Sequence, residues 1–142
     1  CLIHQPRYSM MDRWIENGLT KVLDEKGIGC IVFSPLEQGL LTNRYLNGIP
    51  SDSRAGKTGT FLKKESITDD KITMIKKLND IALKRDQTLA QMSIAWVLNN
   101  PVVTSALIGS SKVEQVDDAV NALNNLSFSN EELKTIDEII FK

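Results

Sequence analysis

Apolar positions along the chain follow two alternating rhythms. Three short runs, residues 1–5, 28–33 and 102–108, are rich in Ile, Leu, Val, Ala and Cys, as in strands buried on both faces. Between them the apolar spacing lengthens to three and four. Over 12–25, Trp14, Ile15, Leu19, Val22 and Leu23 mark one face of a predicted helix, which Gly27 closes. Over 68–84, Ile72, Ile75, Leu78, Ile81 and Ala82 form a single stripe, and lysines fill the opposite face. Asn99-Asn100-Pro101 stops the helix that begins at Thr88, because proline lacks an amide donor and disfavours helix in the residue before it. Two further helices are predicted over 111–124 and 129–140, the last with Leu133, Ile136, Ile139 and Ile140 on one side. Thr88 with Gln91, Ser111 with Glu114 and Ser129 with Glu132 each fit a capping box, in which hydroxyl and later side chain satisfy amides at the helix start.

Apolar strands separated by helices predict a parallel sheet, since parallel neighbours need crossover connections. Short linkers place the strands side by side in chain order. Three strands leave two open edges and uncovered apolar surface. The chain by itself is therefore expected to be open and self-associating through those edges, or molten. A strand starting at Cys1, with no methionine, turn or cap ahead of it, reads as the interior of a longer chain.

The polar positions gather where strands end. Ile28 to Phe33 runs into Ser34-Pro35-Leu36-Glu37-Gln38-Gly39-Leu40-Leu41-Thr42, and then into Gly48-Ile49-Pro50-Ser51-Asp52-Ser53-Arg54. A second polar strand end follows at Gly109-Ser110-Ser111-Lys112, just before a helix. An α/β protein presents ligand sites at the carboxyl ends of its strands in this way. Two such ends predict one anion-bearing ligand. The intervening segment, 34–67, is long for a compact domain, and connections of that length are usually functional or mobile.

Composition changes this picture little. With 142 residues, 42% hydrophobic and 25% charged, the chain is an ordinary globular sequence of about one domain. A net charge of −1 argues against a nucleic-acid surface, and no apolar run reaches the roughly 20 residues of a membrane span. Two cysteines do not make a secreted disulfide framework, so a reducing cytoplasm is the expected compartment. His4 is the only histidine, which leaves no His-based metal cluster and no Ser-His pair; it reads as a structural residue at a strand end. Tyr8 and Tyr45 read as packing or loop residues, and Trp14 and Trp96 as inward-facing helix positions. The segment ending Gly56-Lys57-Thr58 imitates a phosphate-binding loop, but serine replaces its first glycine and no strand precedes it.

Taken together, His4-Gln5-Pro6-Arg7-Tyr8, the two strand-end segments with Gln115, and Gly48-Ile49-Pro50 with Asp52-Ser53-Arg54 resemble the aldo-keto reductases. The likeness is greatest to the branch holding bacterial glyceraldehyde-3-phosphate-type reductases and the beta subunits of voltage-gated potassium channels. It runs through the whole chain in order. It implies an α/β fold in which residues 1–142 form the C-terminal three β/α units of a (β/α)8 TIM barrel, the sixth to eighth strands plus closing helices, incomplete in this chain.

The resemblance also implies roles, position by position. Gln5 matches the glutamine that bonds the nicotinamide carboxamide, and Phe33 the aromatic that stacks on the nicotinamide face. Ser34, Pro35, Leu36, Gln38, Gly39 and Thr42 match the turn that holds the pyrophosphate; Arg44, Ser53 and Arg54 match basic and polar loop positions suited to phosphate. Gly109, Ser110, Ser111, Lys112 and Gln115 resemble the adenosine 2′-phosphate site, and Asp118 the acidic adenine contact. Ala119 departs from the pattern, since many relatives carry an adenine-bonding asparagine there. The family's catalytic tyrosine, lysine, aspartate and histidine lie ahead of any segment present. The implied cofactor is NADP(H), the implied substrate a small carbonyl compound, and the implied reaction hydride transfer to an aldehyde or ketone. Two alternatives keep the barrel but not the chemistry: a nucleotide-sensing, channel-associated subunit, or a truncated product without function.

Overall fold

The three apolar runs pair as parallel strands in chain order. β1 (Ile3–His4), β2 (Gly29–Phe33) and β3 (Val103–Leu107) form one sheet, ordered β1-β2-β3, in a computed structural model that describes residues 1–51, 53, 55–56, 62 and 64–141. Cys30 and Val32 point from β2 into the core. At Thr104 the register between β2 and β3 slips by one residue, and the displaced threonine accepts the Cys30 amide through its hydroxyl at 3.3 Å.

Among the described residues five α-helices flank the sheet: α1 (Leu19–Glu25), α2 (Asp69–Lys84), α3 (Leu89–Leu98), α4 (Val113–Asn121) and α5 (Asn130–Ile140). α3 is almost wholly buried and packs against β3, α2 and α4; α2 lies between α3 and α5. The stripe of α2 faces inward as its spacing predicts, with Ile75, Leu78, Ile81 and Ala82 buried. Both capping boxes at Thr88–Gln91 and Ser129–Glu132 are formed. A buried arginine ties these helices together: Arg85 at the end of α2 donates to Glu132 at 2.7 Å, to Gln87 at 2.9 Å and to the Ser127 carbonyl at 2.9 Å, with its guanidinium stacked over Phe128.

Four local expectations need correction. The helix expected over 12–25 is broken: Gly18 takes φ +103°, so a short 3-10 turn at Trp14–Glu16 is followed by the separate α1, and Trp14 is half exposed. β1 spans two residues rather than five, and Leu2 and Ile3 are exposed, because among the described residues it pairs with β2 alone. The third capping box is absent, since Lys112 is the residue that precedes α4; the Gln115 side chain instead accepts from the Ser111 amide and hydroxyl. The segment 34–67 is better packed than its length suggests: it holds 3-10 turns at Glu37–Gly39, Asn43–Tyr45 and Lys64–Ser66, and buries Leu40, Leu41, Tyr45 and Ile67.

Candidate functional site

The turn after β2 is unusual in its backbone. Ser34 (φ 57°), Glu37 (φ 48°), Gln38 (φ 58°) and Gly39 (φ 96°) all occupy left-handed conformations. Each non-glycine residue there costs about 1–2 kcal/mol, so surrounding contacts must hold the turn. Within it, Gly39 N donates to Leu36 O at 2.8 Å, Leu41 N to Leu36 O at 3.1 Å, and the Thr42 hydroxyl to Gly39 O at 2.7 Å. From outside, the Glu37 carboxylate accepts from the Arg7 guanidinium and from the Ser9 hydroxyl, the latter at 2.8 Å. Arg7 Nε also lies 3.2 Å from Asp12. The turn after β1 thus grips the turn after β2.

A second wall forms where β3 ends. Leu107 and Ile108 lie open at the strand's carboxyl end, Gly109, Ser110 and Ser111 lead into α4, and Lys112 stands at the start of that helix. Behind them Asp118 of α4 accepts from Gln91 Nε2 at 2.7 Å and from the Thr88 hydroxyl at 3.3 Å, which joins α4 to the first turn of α3. Between the two walls lies a cavity of about 690 Å³. That volume suits a cofactor-sized ligand.

Most of the residues singled out from the sequence meet here. Ser34, Pro35, Leu36, Gln38, Gly39, Thr42, Arg44, Gly109, Ser110, Ser111, Gln115 and Asp118 line the cavity. Phe33 ends β2 half exposed beside it, and Gln5 follows β1 on the same strand-end rim, but neither they nor Lys112 are among its walls. Ser53 is buried outside it, its hydroxyl donating to Pro50 O at 2.6 Å and accepting from Gly56 N at 3.1 Å. Arg54 lies outside the described residues. Sequence reading missed Asn43, Tyr45, Thr88, Ala90, Ile94 and Glu114, which complete the walls. The helix-start pattern at Thr88 was the one available signal. Ala119 lines the cavity and offers it no hydrogen bond.

Two titratable groups near the rim, Tyr8 and Cys30, are shifted by burial. Burial pushes the Tyr8 phenol far above its ordinary value, and its hydroxyl donates to Glu16 at 2.6 Å while its ring packs 5.2 Å from Trp96. Burial also raises the Cys30 thiol, which leaves little thiolate for nucleophilic work. Among the described residues no cluster of His, Cys, Asp or Glu could hold a metal ion, and no helix is long and apolar enough to cross a membrane.

Parallel strands joined by helices, with a cavity at their carboxyl ends walled by a left-handed turn and a helix start, define an α/β protein with a candidate ligand site on one rim of the sheet. Its family follows from comparison with known proteins: the Aldo/keto reductase family matches residues 1–140, and the chain belongs to that family. It is 46% identical to the L-glyceraldehyde 3-phosphate reductase of Escherichia coli (strain K12), over 98% of this chain and 41% of that protein. It is 35% identical to a putative voltage-gated potassium channel subunit beta of Schizosaccharomyces pombe, over 96% of this chain and 41% of that one. The chain therefore spans about two fifths of the length of these relatives. In fold it is similar to the glycerol dehydrogenase of Gluconobacter oxydans, with a TM-score of 0.79 at 24% identity, covering 97% of this chain and 42% of that one.

Proposed function

We propose that residues 1–142 supply most of the cofactor contacts of an NADP(H)-dependent aldo-keto reductase, as the last three β/α units of its barrel. The observation that carries this reading is the shared cavity: the two strand-end segments meet across one space, walled by hydroxyls, backbone amides and Arg44. The left-handed turn brings backbone close to that space, as a diphosphate requires. Gly109 to Ser111 present hydroxyls and the backbone of a helix start to a further phosphate, and Lys112, just outside the cavity wall, adds a cation beside them. The half-exposed Phe33 ring offers a stacking face for the nicotinamide at the same rim. When bound, the nicotinamide supplies hydride to the carbonyl carbon of an aldehyde or ketone. This chain's part is to orient that ring and shield one of its faces. Protonation of the resulting alkoxide falls to the family's tyrosine, which none of these segments contains, so the polypeptide of 142 residues alone is expected to lack carbonyl reductase activity.

The likeness to a channel beta subunit supports a second reading, in which cofactor occupancy governs an interaction rather than turnover. Steady turnover of a glyceraldehyde-type substrate by the complete protein favours the reductase; tight cofactor binding without turnover favours the sensor. The cofactor assignment is tested by titrating NADPH and NADH against the complete protein by fluorescence quenching, in wild type, Arg54→Ala and Lys112→Ala. NADPH should bind more tightly, and each variant should lose affinity for it. Equal wild-type affinities, or unchanged NADPH binding in both variants, would sink the assignment.

A further inference from the structure

We infer that Glu37 is a positioning residue, held by Arg7 and Ser9, that sets the conformation of the turn facing the cofactor's diphosphate. The inference rests on the cofactor reading above. Glu37 occupies the middle of the turn, yet its side chain is not part of the cavity wall; its neighbours Leu36 and Gln38 are. Its carboxylate reaches the segment after β1, where it accepts from Arg7 and from the buried Ser9 hydroxyl. Ser9 is fixed in turn by accepting the amides of Met11 at 3.2 Å and Asp12 at 3.1 Å, and Arg7 is held by Asp12 on its other side.

These contacts fall where the backbone has most need of them. Glu37 and Gln38 are successive non-glycine residues in the left-handed region, and Ser34 stands there three positions earlier. Such residues relax toward ordinary conformations unless side chains oppose the change. The segment that supplies the opposing contacts is itself paired to the end of β2, with Phe33 N donating to Pro6 O at 3.0 Å and Tyr8 N to Phe33 O at 3.2 Å. One frame therefore holds both the stacking ring of Phe33 and the turn that follows it. Arg7 also neutralises a carboxylate close to where a diphosphate would lie.

The test measures two affinities in the complete protein, for NADPH and for adenosine 2′,5′-bisphosphate, which carries the adenosine and 2′-phosphate but only one phosphate of the diphosphate and no nicotinamide. In Glu37→Gln, which loses the ion pair, and in Ser9→Ala, which loses one hydrogen bond, the NADPH dissociation constant should rise, by about tenfold in the first. The bisphosphate constant should stay within about twofold of wild type. A general loss of structure would weaken both ligands alike, and that result, or unchanged NADPH affinity in both variants, overturns the positioning role while leaving the cofactor reading intact. Failure of the wild type to bind NADPH overturns the cofactor reading, and this inference with it.

Discussion

Replacing Arg85 with methionine should destabilise the fold by about 2–3 kcal/mol. The arginine side chain is nearly inaccessible, and it gives hydrogen bonds to Glu132, Gln87 and the Ser127 carbonyl, all within 3 Å. Breaking a fully buried ion pair from one side costs on the order of 3–5 kcal/mol, because the abandoned charge stays dry. Here the abandoned group is Glu132, whose side chain is 30% exposed and can regain water, so the expected loss lies at or just below the bottom of that range. Methionine keeps the apolar stem against Phe128, which limits the loss from packing. For a domain of this size the change lowers the thermal midpoint by roughly 2–4 °C per kcal/mol. Urea unfolding of the complete protein at neutral pH, followed by circular dichroism, measures the difference. The Arg85→Met/Glu132→Gln double variant should lose less than the sum of the two single changes, because the two side chains are directly bonded. A single-variant loss below about 0.5 kcal/mol, or strict additivity, would refute the claim that this arginine clamps α2 to α5.

Two further outcomes follow from local geometry. Burial opposes charge on Glu132, but the Ser129 amide and Arg85 outweigh it and hold the carboxyl below its ordinary value of 4.5. Its folded value is thus the lower of the two, so it stabilises the fold above about pH 4.5 and ceases to as pH falls through the folded value; the urea midpoints of wild type and Glu132→Gln should converge on acidification, and a constant gap would contradict this. Gly56→Ala would place a Cβ 2.5 Å from Pro50 O and 2.6 Å from Ser51 O, which the backbone cannot accommodate without moving. A loss of about 1–3 kcal/mol in the same urea assay is expected, and a neutral change would show that this turn can open freely.

The elements legible in the sequence were those whose signal is local. Period and punctuation lie within a few residues for β2, α2 and the two formed capping boxes, and each formed as read. α1 was drawn too long because its apolar spacing continues across Gly18, and only the folded chain shows that this glycine takes φ +103° and breaks the helix. Ser111 has the residue type of a cap and Glu114 the right offset, yet the chain enters α4 one residue later and Gln115 takes the bonding role. At the site, the strand-end turns were readable as motifs, whereas the Arg7–Glu37 and Ser9–Glu37 contacts join residues 30 and 28 positions apart. No spacing rule reaches across a strand and a helix, so the residues that hold the turn stayed hidden, as did the wall residues that α3 contributes, Thr88, Ala90 and Ile94, while those of the strand-end motifs did not.

The most direct test of the account is a crystal structure of the complete protein with NADP⁺ bound. The account predicts the nicotinamide ring stacked on Phe33, the diphosphate against Ser34 to Thr42, and the 2′-phosphate within hydrogen-bonding distance of Ser111 and Lys112. Cofactor bound elsewhere, or bound with its 2′-phosphate pointing away from the start of α4, would contradict it.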